Sequence, residues 1–290
     1  MAHNNLMSFD KATSQLRSFF KERGFIEVHT QSRLSILAAC EDPRTIATFN
    51  YSGNLWPLPQ TGQMWLEHDL LTNPQVPGLF CVSTSYRNEP RPIPGRHDLI
   101  FPMFEFETHG GLDALYALEK DLLEWLGFGA QDFFYTQDYL TMAEHYDVKE
   151  INHACETKMW QDFGPVFFLK NFPQYTSPFW NMKKVGDTAN KIDVILYGIE
   201  TIGSAERSVD TDEMRELFHT ISDGMYANIL YAQFGKERVE KELEEFLALD
   251  FFPRSGGGIG VTRMMRALQM AQEEASMGRS KTFVSPQVQF

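Results

Sequence analysis

Tyr86 to Glu107 reads YRNEPRPIPGRHDLIFPMFEFE. Three arginines, one histidine and three glutamates stand between two runs of strand character. Pro90 to Gly95 holds three prolines and a glycine, so the centre is a loop. The flanks, Leu79–Tyr86 and Leu99–Glu107, are apolar and aromatic with interleaved polar residues, the pattern of an antiparallel pair. Such a hairpin gathers Arg87, Glu89, Arg96 and His97 at its loop end. Two arginines and a histidine make an anion site there, since arginine grips phosphate oxygens in bidentate fashion. Phe101 offers a flat face to a purine. A hairpin whose charges simply face water is the competing reading, and the rest of the chain has to decide.

The chain has 290 residues, 43% apolar and 13% aromatic, enough for one large core. One domain over residues 1–290 is expected, with a small helical insertion at 127–160. There is no run of membrane-spanning length, no secretory leader pattern at MAHNNLMSFD and no internal repeat. Cys40, Cys81 and Cys155 lack metal-type spacing and read as reduced cysteines of a cytoplasmic protein. The net charge of −13 argues against a large nucleic-acid footprint, though not against a local basic groove.

Working outward from the hairpin, Ser8 or Asp10 can cap a helix carrying Leu16, Phe19 and Phe20 on one face, which Gly24 ends. A short strand is expected at Phe25–His29 and a helix at Thr61–Leu71. Leu112–Leu126 has strong helix propensity. Pro165–Lys170, Pro178–Met182 and Ile192–Tyr197 read as strands. Asp210 caps a helix from about residue 211 to 233, broken at Gly235, and Lys236–Leu249 is a charged amphipathic helix. The expected fold is therefore α+β, an antiparallel sheet flanked by helices.

Two further groups carry chemistry. Gly256, Gly257, Gly258 and Gly260 read as a glycine turn before a helix that bears Arg263. Glycines allow close backbone approach, and a helix N-terminus favours an anion, but a plain turn explains the pattern equally. No Walker lysine follows and no third glycine completes a dinucleotide fingerprint. Asp193 and Glu200, around Gly198, can hold Mg²⁺ beside phosphates, or can be ordinary acids at strand ends.

The three groups together resemble the catalytic core of class II aminoacyl-tRNA synthetases, asparaginyl/aspartyl branch. YRNE, RHDLIF and FEFE are similar to that family's second motif, GGGIGVTRM to its third and LRSFFKERGFIEVHT to its first. LPQTGQMWLEH is similar to the branch's amino-acid-binding segment and YGIETIGSAER to the segment before the third motif. The resemblance implies ATP and Mg²⁺ as cofactors. It implies that Arg87 and Arg263 are catalytic, and that Arg87, Glu89, Arg96, His97, Phe101, Gly258, Gly260 and Arg263 bind ATP. Asp193 and Glu200 would hold the metal; Glu41, Gln63 and Glu105 would surround the substrate's α-ammonium group. A homodimer is implied too.

In that segment Leu66 stands where the aspartyl branch usually places a lysine, and Glu67 follows. Arg207 matches the arginine that both branches aim at the side-chain oxygen. An arginine donor with a glutamate acceptor suits an amide better than a carboxylate, so asparagine is favoured over aspartate. Glu67 turned away, with Arg207 alone pairing aspartate, is the alternative. Gln31, Ile100, Thr262 and Ser177 depart from the family pattern without removing a phosphate ligand. With the first motif so near residue 1, the branch's anticodon-binding barrel is not expected. The acceptor is then expected to be a small amine or ammonia. The alternatives are a tRNA ligase reading only the acceptor stem, an aspartate–ammonia ligase, and a non-catalytic regulatory paralogue.

Overall fold

The computed structural model describes residues 6–30, 36, 43–93 and 98–276. The chain begins with α1 (Leu6–Glu22), β1 (Ile26–Glu27), β2 (Thr48–Tyr51), β3 (Asn54–Pro57) and α2 (Gln63–Thr72). The opening hairpin is β4 (Gly78–Tyr86) and β5 (Ile100–His109), followed by α3 (Leu112–Trp125), β6 (Tyr135–Asp138), α4 (Tyr139–His145) and α5 (His153–Phe163). Then come β7 (Val166–Pro173), β8 (Lys184–Val185), β9 (Thr188–Leu196), β10 (Ile199–Glu206), α6 (Thr211–Thr220), α7 (Met225–Phe234), α8 (Lys236–Leu247), β11 (Arg254–Gly260) and α9 (Val261–Ser276). The large sheet runs β1-β4-β5-β11-β10-β9-β7-β6, with β8 on β9. It is antiparallel except where β1 pairs β4 and β6 pairs β7. The α+β architecture expected from the sequence is the one observed.

Strand alternation sorts the side chains. Phe104 and Phe106 of β5, Ile202 of β10 and Ile259 of β11 meet α1, α3 and α9 in one core. Phe20 of α1 sits 5.0–5.9 Å from the rings of Phe80, Phe104 and Phe106. The opposite face carries Glu105 and Glu107 of β5, Gly256 and Gly258 of β11, Gly203 of β10 and Asp193 of β9, joined by direct register. Helices cover this second face around its rim, α4 and α5 over Phe167, Leu169 and Ile195, and α2 over Leu79 and Cys81.

Four local expectations are corrected. The glycine run is not a turn but a fully buried central strand, β11. Its glycines are sterically required: a Cβ on Gly256 would lie 1.9 Å from Glu107 Oε2 and 2.4 Å from the Phe106 carbonyl oxygen. On Gly257 a Cβ would meet the Ser204 Cβ at 2.5 Å. Pro178–Met182 forms no strand; Met182 makes only an isolated bridge to Arg207. The single helix expected over 211–233 divides, because Ser222 and Asp223 adopt left-handed backbone at φ 53° and 56°. Asp210 does cap α6, accepting from the amides of Asp212 and Glu213. Ser8 and Asp10 lie inside α1 rather than capping it. Within 127–160 the structure adds a strand to the helices, β6, which joins the main sheet.

Candidate active site

The expected antiparallel hairpin forms, with Tyr86 opposite Ile100, and the Arg87 amide extends it by donating to the Leu99 carbonyl at 2.8 Å. The Arg87 guanidinium lies 5.7 Å from the Phe101 ring centroid, so these two expected site residues meet. Phe101, Met103, Glu105 and Glu107 alternate onto the second face of the sheet. Glu41, Arg96 and His97 lie outside the described residues, and Glu89 is half-buried just past β4.

Glu105 is fully buried. It accepts from the Thr61 hydroxyl, from the Gly62 amide at 2.8 Å and from the Ser83 hydroxyl at 2.5 Å. Burial raises its pKa, and those donors with Arg87 pull it back.

The floor of the site is a network of four buried ions. Arg207 donates to Glu107 through Nε at 3.2 Å and Nη2 at 3.1 Å, and to Gln63 Oε1 at 3.0 Å. Its Nε is 3.5 Å from Glu67 Oε1. Arg254 holds Glu67 Oε2 through Nε at 3.0 Å and Nη2 at 2.7 Å, and Asn181 donates to Glu67 Oε1 at 2.6 Å. Burial pushes the Glu107 carboxyl up to about 7, Arg207 opposing and Glu67 adding to the rise. Arg207 in turn is raised: burial disfavours its charge, and Glu107 and Glu67 outweigh that. Gln63, Glu67 and Arg207 are thus brought together in one network. Glu107, Arg254 and Asn181 were missed. Glu107 could have been found by carrying strand alternation two residues past Glu105, and Arg254 as the charge opening the glycine run.

Gly258 lies over this floor, where a Cβ would meet Met103 Cε at 2.7 Å and Gln63 Nε2 at 2.9 Å. Its lack of a side chain therefore makes room for neighbouring side chains. The Gly260 Cβ position is uncrowded, its nearest neighbour being Arg263 at 3.5 Å. Arg263, in the first turn of α9, donates to the Glu200 carbonyl at 2.7 Å and stands 3.8 Å from its carboxylate.

Tyr197 and Gly198, both at positive φ, make the two-residue turn that returns β9 into β10. Asp193 and Glu200 consequently face one another across Gly203, where a Cβ would lie 3.1 Å from Glu200 Oε1 and 3.7 Å from Asp193 Oδ1. Two carboxylates converging on space kept open by a glycine fit a hard divalent cation whose other ligands are phosphate oxygens and water. Among the described residues no set of three or more metal-type side chains occurs.

The profile of the tRNA synthetases class II (D, K and N) matches residues 1–274. The chain belongs to that family. The aspartate–tRNA(Asp/Asn) ligase of Methanopyrus kandleri is 23% identical over 222 residues, covering 67% of this chain and 51% of that protein. The aspartate–tRNA(Asp) ligase of Pyrobaculum aerophilum is 29% identical over 110 residues, 37% of this chain and 22% of that one. The chain thus spans about half or less of these curated relatives. In fold it is similar to the asparaginyl-tRNA synthetase of Pyrococcus horikoshii complexed with asparaginyl-adenylate, at TM-score 0.72 and 18% identity over 91% of this chain and 64% of that one. A putative aspartyl-tRNA synthetase from Leishmania major matches at TM-score 0.70 and 15% identity, over 90% and 61% of the two chains. No described helix is long and apolar enough to cross a membrane.

Proposed function

We propose that this chain activates asparagine as an aminoacyl-adenylate, with ATP and Mg²⁺, and passes the acyl group to a small amine. The observation that carries the choice of asparagine is the charge balance of the floor. Above the Glu107 pKa of about 7, Arg207 and Arg254 face Glu67 and Glu107, two positive against two negative, all buried. A neutral amide adds no charge there, whereas the aspartate carboxylate leaves one uncompensated anion in a dry site. Arg207 Nη1, which makes no hydrogen bond among the described residues, is the donor for the amide carbonyl, and Glu67 Oε1 is the acceptor for its NH₂.

In the first step a substrate carboxylate oxygen forms a bond to the α-phosphorus, and the bond to pyrophosphate breaks with its electron pair on the leaving group. Arg87 stabilises charge on the α-phosphoryl oxygens, Phe101 stacks on adenine, and Arg263, held by Glu200, covers the outer phosphates. Glu89, Arg96 and His97 belong to the same ATP site, and Glu41 joins Gln63 and Glu105 around the α-ammonium group. Asp193 and Glu200 would hold Mg²⁺, which neutralises phosphate charge. No side-chain nucleophile is needed; the site acts by positioning and charge stabilisation. The exposed Leu6, Met7 and Ile26 on α1 and β1 suit a homodimer interface.

Amino-acid-dependent ATP–pyrophosphate exchange tests this reading. Asparagine should support exchange and aspartate should do so more weakly. Exchange with aspartate alone refutes the floor argument, and exchange with no amino acid refutes activation. The second reading, transfer to tRNA, is favoured by the relatives named above, which are aspartate–tRNA ligases. Aminoacylation of added tRNA in the same assay establishes it.

A further inference from the structure

The Tyr197-Gly198 turn delivers Glu200, one of the two candidate metal ligands, just beyond the reach of the central strand. β10 pairs with β11 only from Ile202 onward, and its register on β9 shifts between Glu200 and Ile202. The backbone of Glu200 is met instead by side chains. Glu156, in the first turn of α5, accepts from its amide through Oε2 at 2.9 Å, and Arg263 of α9 donates to its carbonyl at 2.7 Å. Helix α5 is seated on the turn itself. A Cβ on Gly198 would lie 3.1 Å from Thr157 Cα and 3.3 Å from Trp160 Cε3, and the Trp160 ring meets the Tyr197 ring edge-on at 5.7 Å. Asp193 is placed differently, inside the sheet, paired with Leu169 of β7 on one side and Gly203 of β10 on the other.

Resting on the assignment of Asp193 and Glu200 to Mg²⁺ above, we infer that Glu156 is a positioning residue for the metal site: it fixes the Glu200 backbone so that the Glu200 carboxylate faces Asp193. A carboxylate that accepts from a backbone amide makes a charge-assisted bond, stronger than one between neutral partners. Glu156 holds Glu200 from the α5 side and Arg263 holds it from the α9 side, so the bulged residue is fixed at both its peptide groups. Without Glu156 the amide loses this partner, and the bulge relaxes to satisfy it elsewhere. A site that shares one hard cation between two carboxylates tolerates little such movement, because the cation fixes its ligand distances. Helix α5 thereby acts on the metal site through the backbone of Glu200.

Calorimetry of the full chain without amino acid tests this, by comparing MgATP with ATP in EDTA. The parent should bind MgATP at least about tenfold more tightly than metal-free ATP. Glu156→Leu should remove most of that advantage and leave the affinity for metal-free ATP unchanged. Glu156→Gln, which keeps an acceptor oxygen, should restore the advantage. In a Glu200→Gln background Glu156→Leu should change the ratio no further, since both act on one ligand. Gly198→Ala, whose methyl group drives α5 off the turn, should reproduce the Glu156→Leu result and serves where that variant folds poorly. A Glu156→Leu protein with the parental MgATP advantage, a Glu156→Gln protein without it, or additive losses in the double variant overturns the inference. A parent that binds both forms of ATP equally overturns the metal assignment and the inference with it. Failure of exchange with every amino acid, while the MgATP advantage and its loss in Glu156→Leu are intact, overturns activation instead and leaves Glu156 in its role.

Discussion

Glu119, on the inner face of α3, is fully buried, and the Ser204 hydroxyl is the polar group set against its carboxyl. Burial pushes its pKa up to about 8 from 4.5, opposed only by the Ser204 hydroxyl. The folded protein therefore holds a proton on Glu119 that the unfolded chain gives up near pH 4.5. Between these values the native state binds more protons than the unfolded state, so stability falls as pH rises. Stability is unaffected by this group below pH 4.5, lowered by about 1 kcal/mol at pH 5 and by roughly 4 kcal/mol at pH 8. Glu119→Gln keeps the shape and removes the titration. Urea unfolding followed by tryptophan fluorescence at pH 5, 6, 7 and 8 measures the difference between variant and parent. The variant should gain with each step, reaching a midpoint shift of roughly 1 M urea at pH 8. A difference that stays flat across this range refutes the assignment of a neutral buried acid.

Four other outcomes are expected. Arg254→Met leaves Glu67 buried without its principal counter-ion and should lower stability by about 3–5 kcal/mol in urea unfolding. Gly256→Ala drives a methyl group into Glu107 and the Phe106 backbone, and should cost at least about 2 kcal/mol, read as a fall in Tm of several degrees. Arg87→Ala should reduce asparagine-dependent pyrophosphate exchange by at least about 100-fold; near-parental exchange removes it from the phosphate site. The preference for asparagine over aspartate should weaken as pH falls from 8 to 6, because protonation of Glu107, whose pKa is about 7, leaves the floor one charge positive and able to receive a carboxylate.

The hairpin was legible because its signals are local: prolines and glycine at the bend, and a period of two in FPMFEFE. The kink after α6 had a local signal too, the Asp-Gly pair in ISDG, but the apolar spacing on both sides reads as one helix. Strand β11 was not legible from its own residues, since a run of glycines has poor strand propensity and reads as a turn. What makes it a strand is held by its neighbours: Glu107 and Met103 from β5 and Ser204 from β10 occupy the volume its absent side chains leave. In the site, Gln63, Glu67 and Arg207 could be named because a motif carries them. Arg254 and Asn181 could not, because their role exists only once β11 and the 178–182 segment fold against α2.

This dependence also explains why the charged floor sits at the centre of the sheet. A central antiparallel strand with ordinary side chains would fill the second face with apolar bulk. Gly256 and Gly258 leave the middle of that face bare, so Glu107 can lie across β11 and Gln63 can reach over it from α2. Arg207 then enters from the end of β10 and Arg254 from the start of β11, each meeting a carboxylate from the other side of the gap. The glycines and the four ions are therefore one device. A side chain at Gly256 should disturb Glu107 first, and through it Arg207, so a Gly256→Ala protein that still folds should lose discrimination between asparagine and aspartate before it loses exchange. Unchanged discrimination in a folded Gly256→Ala variant would show that the gap over β11 shapes the sheet without shaping the pocket.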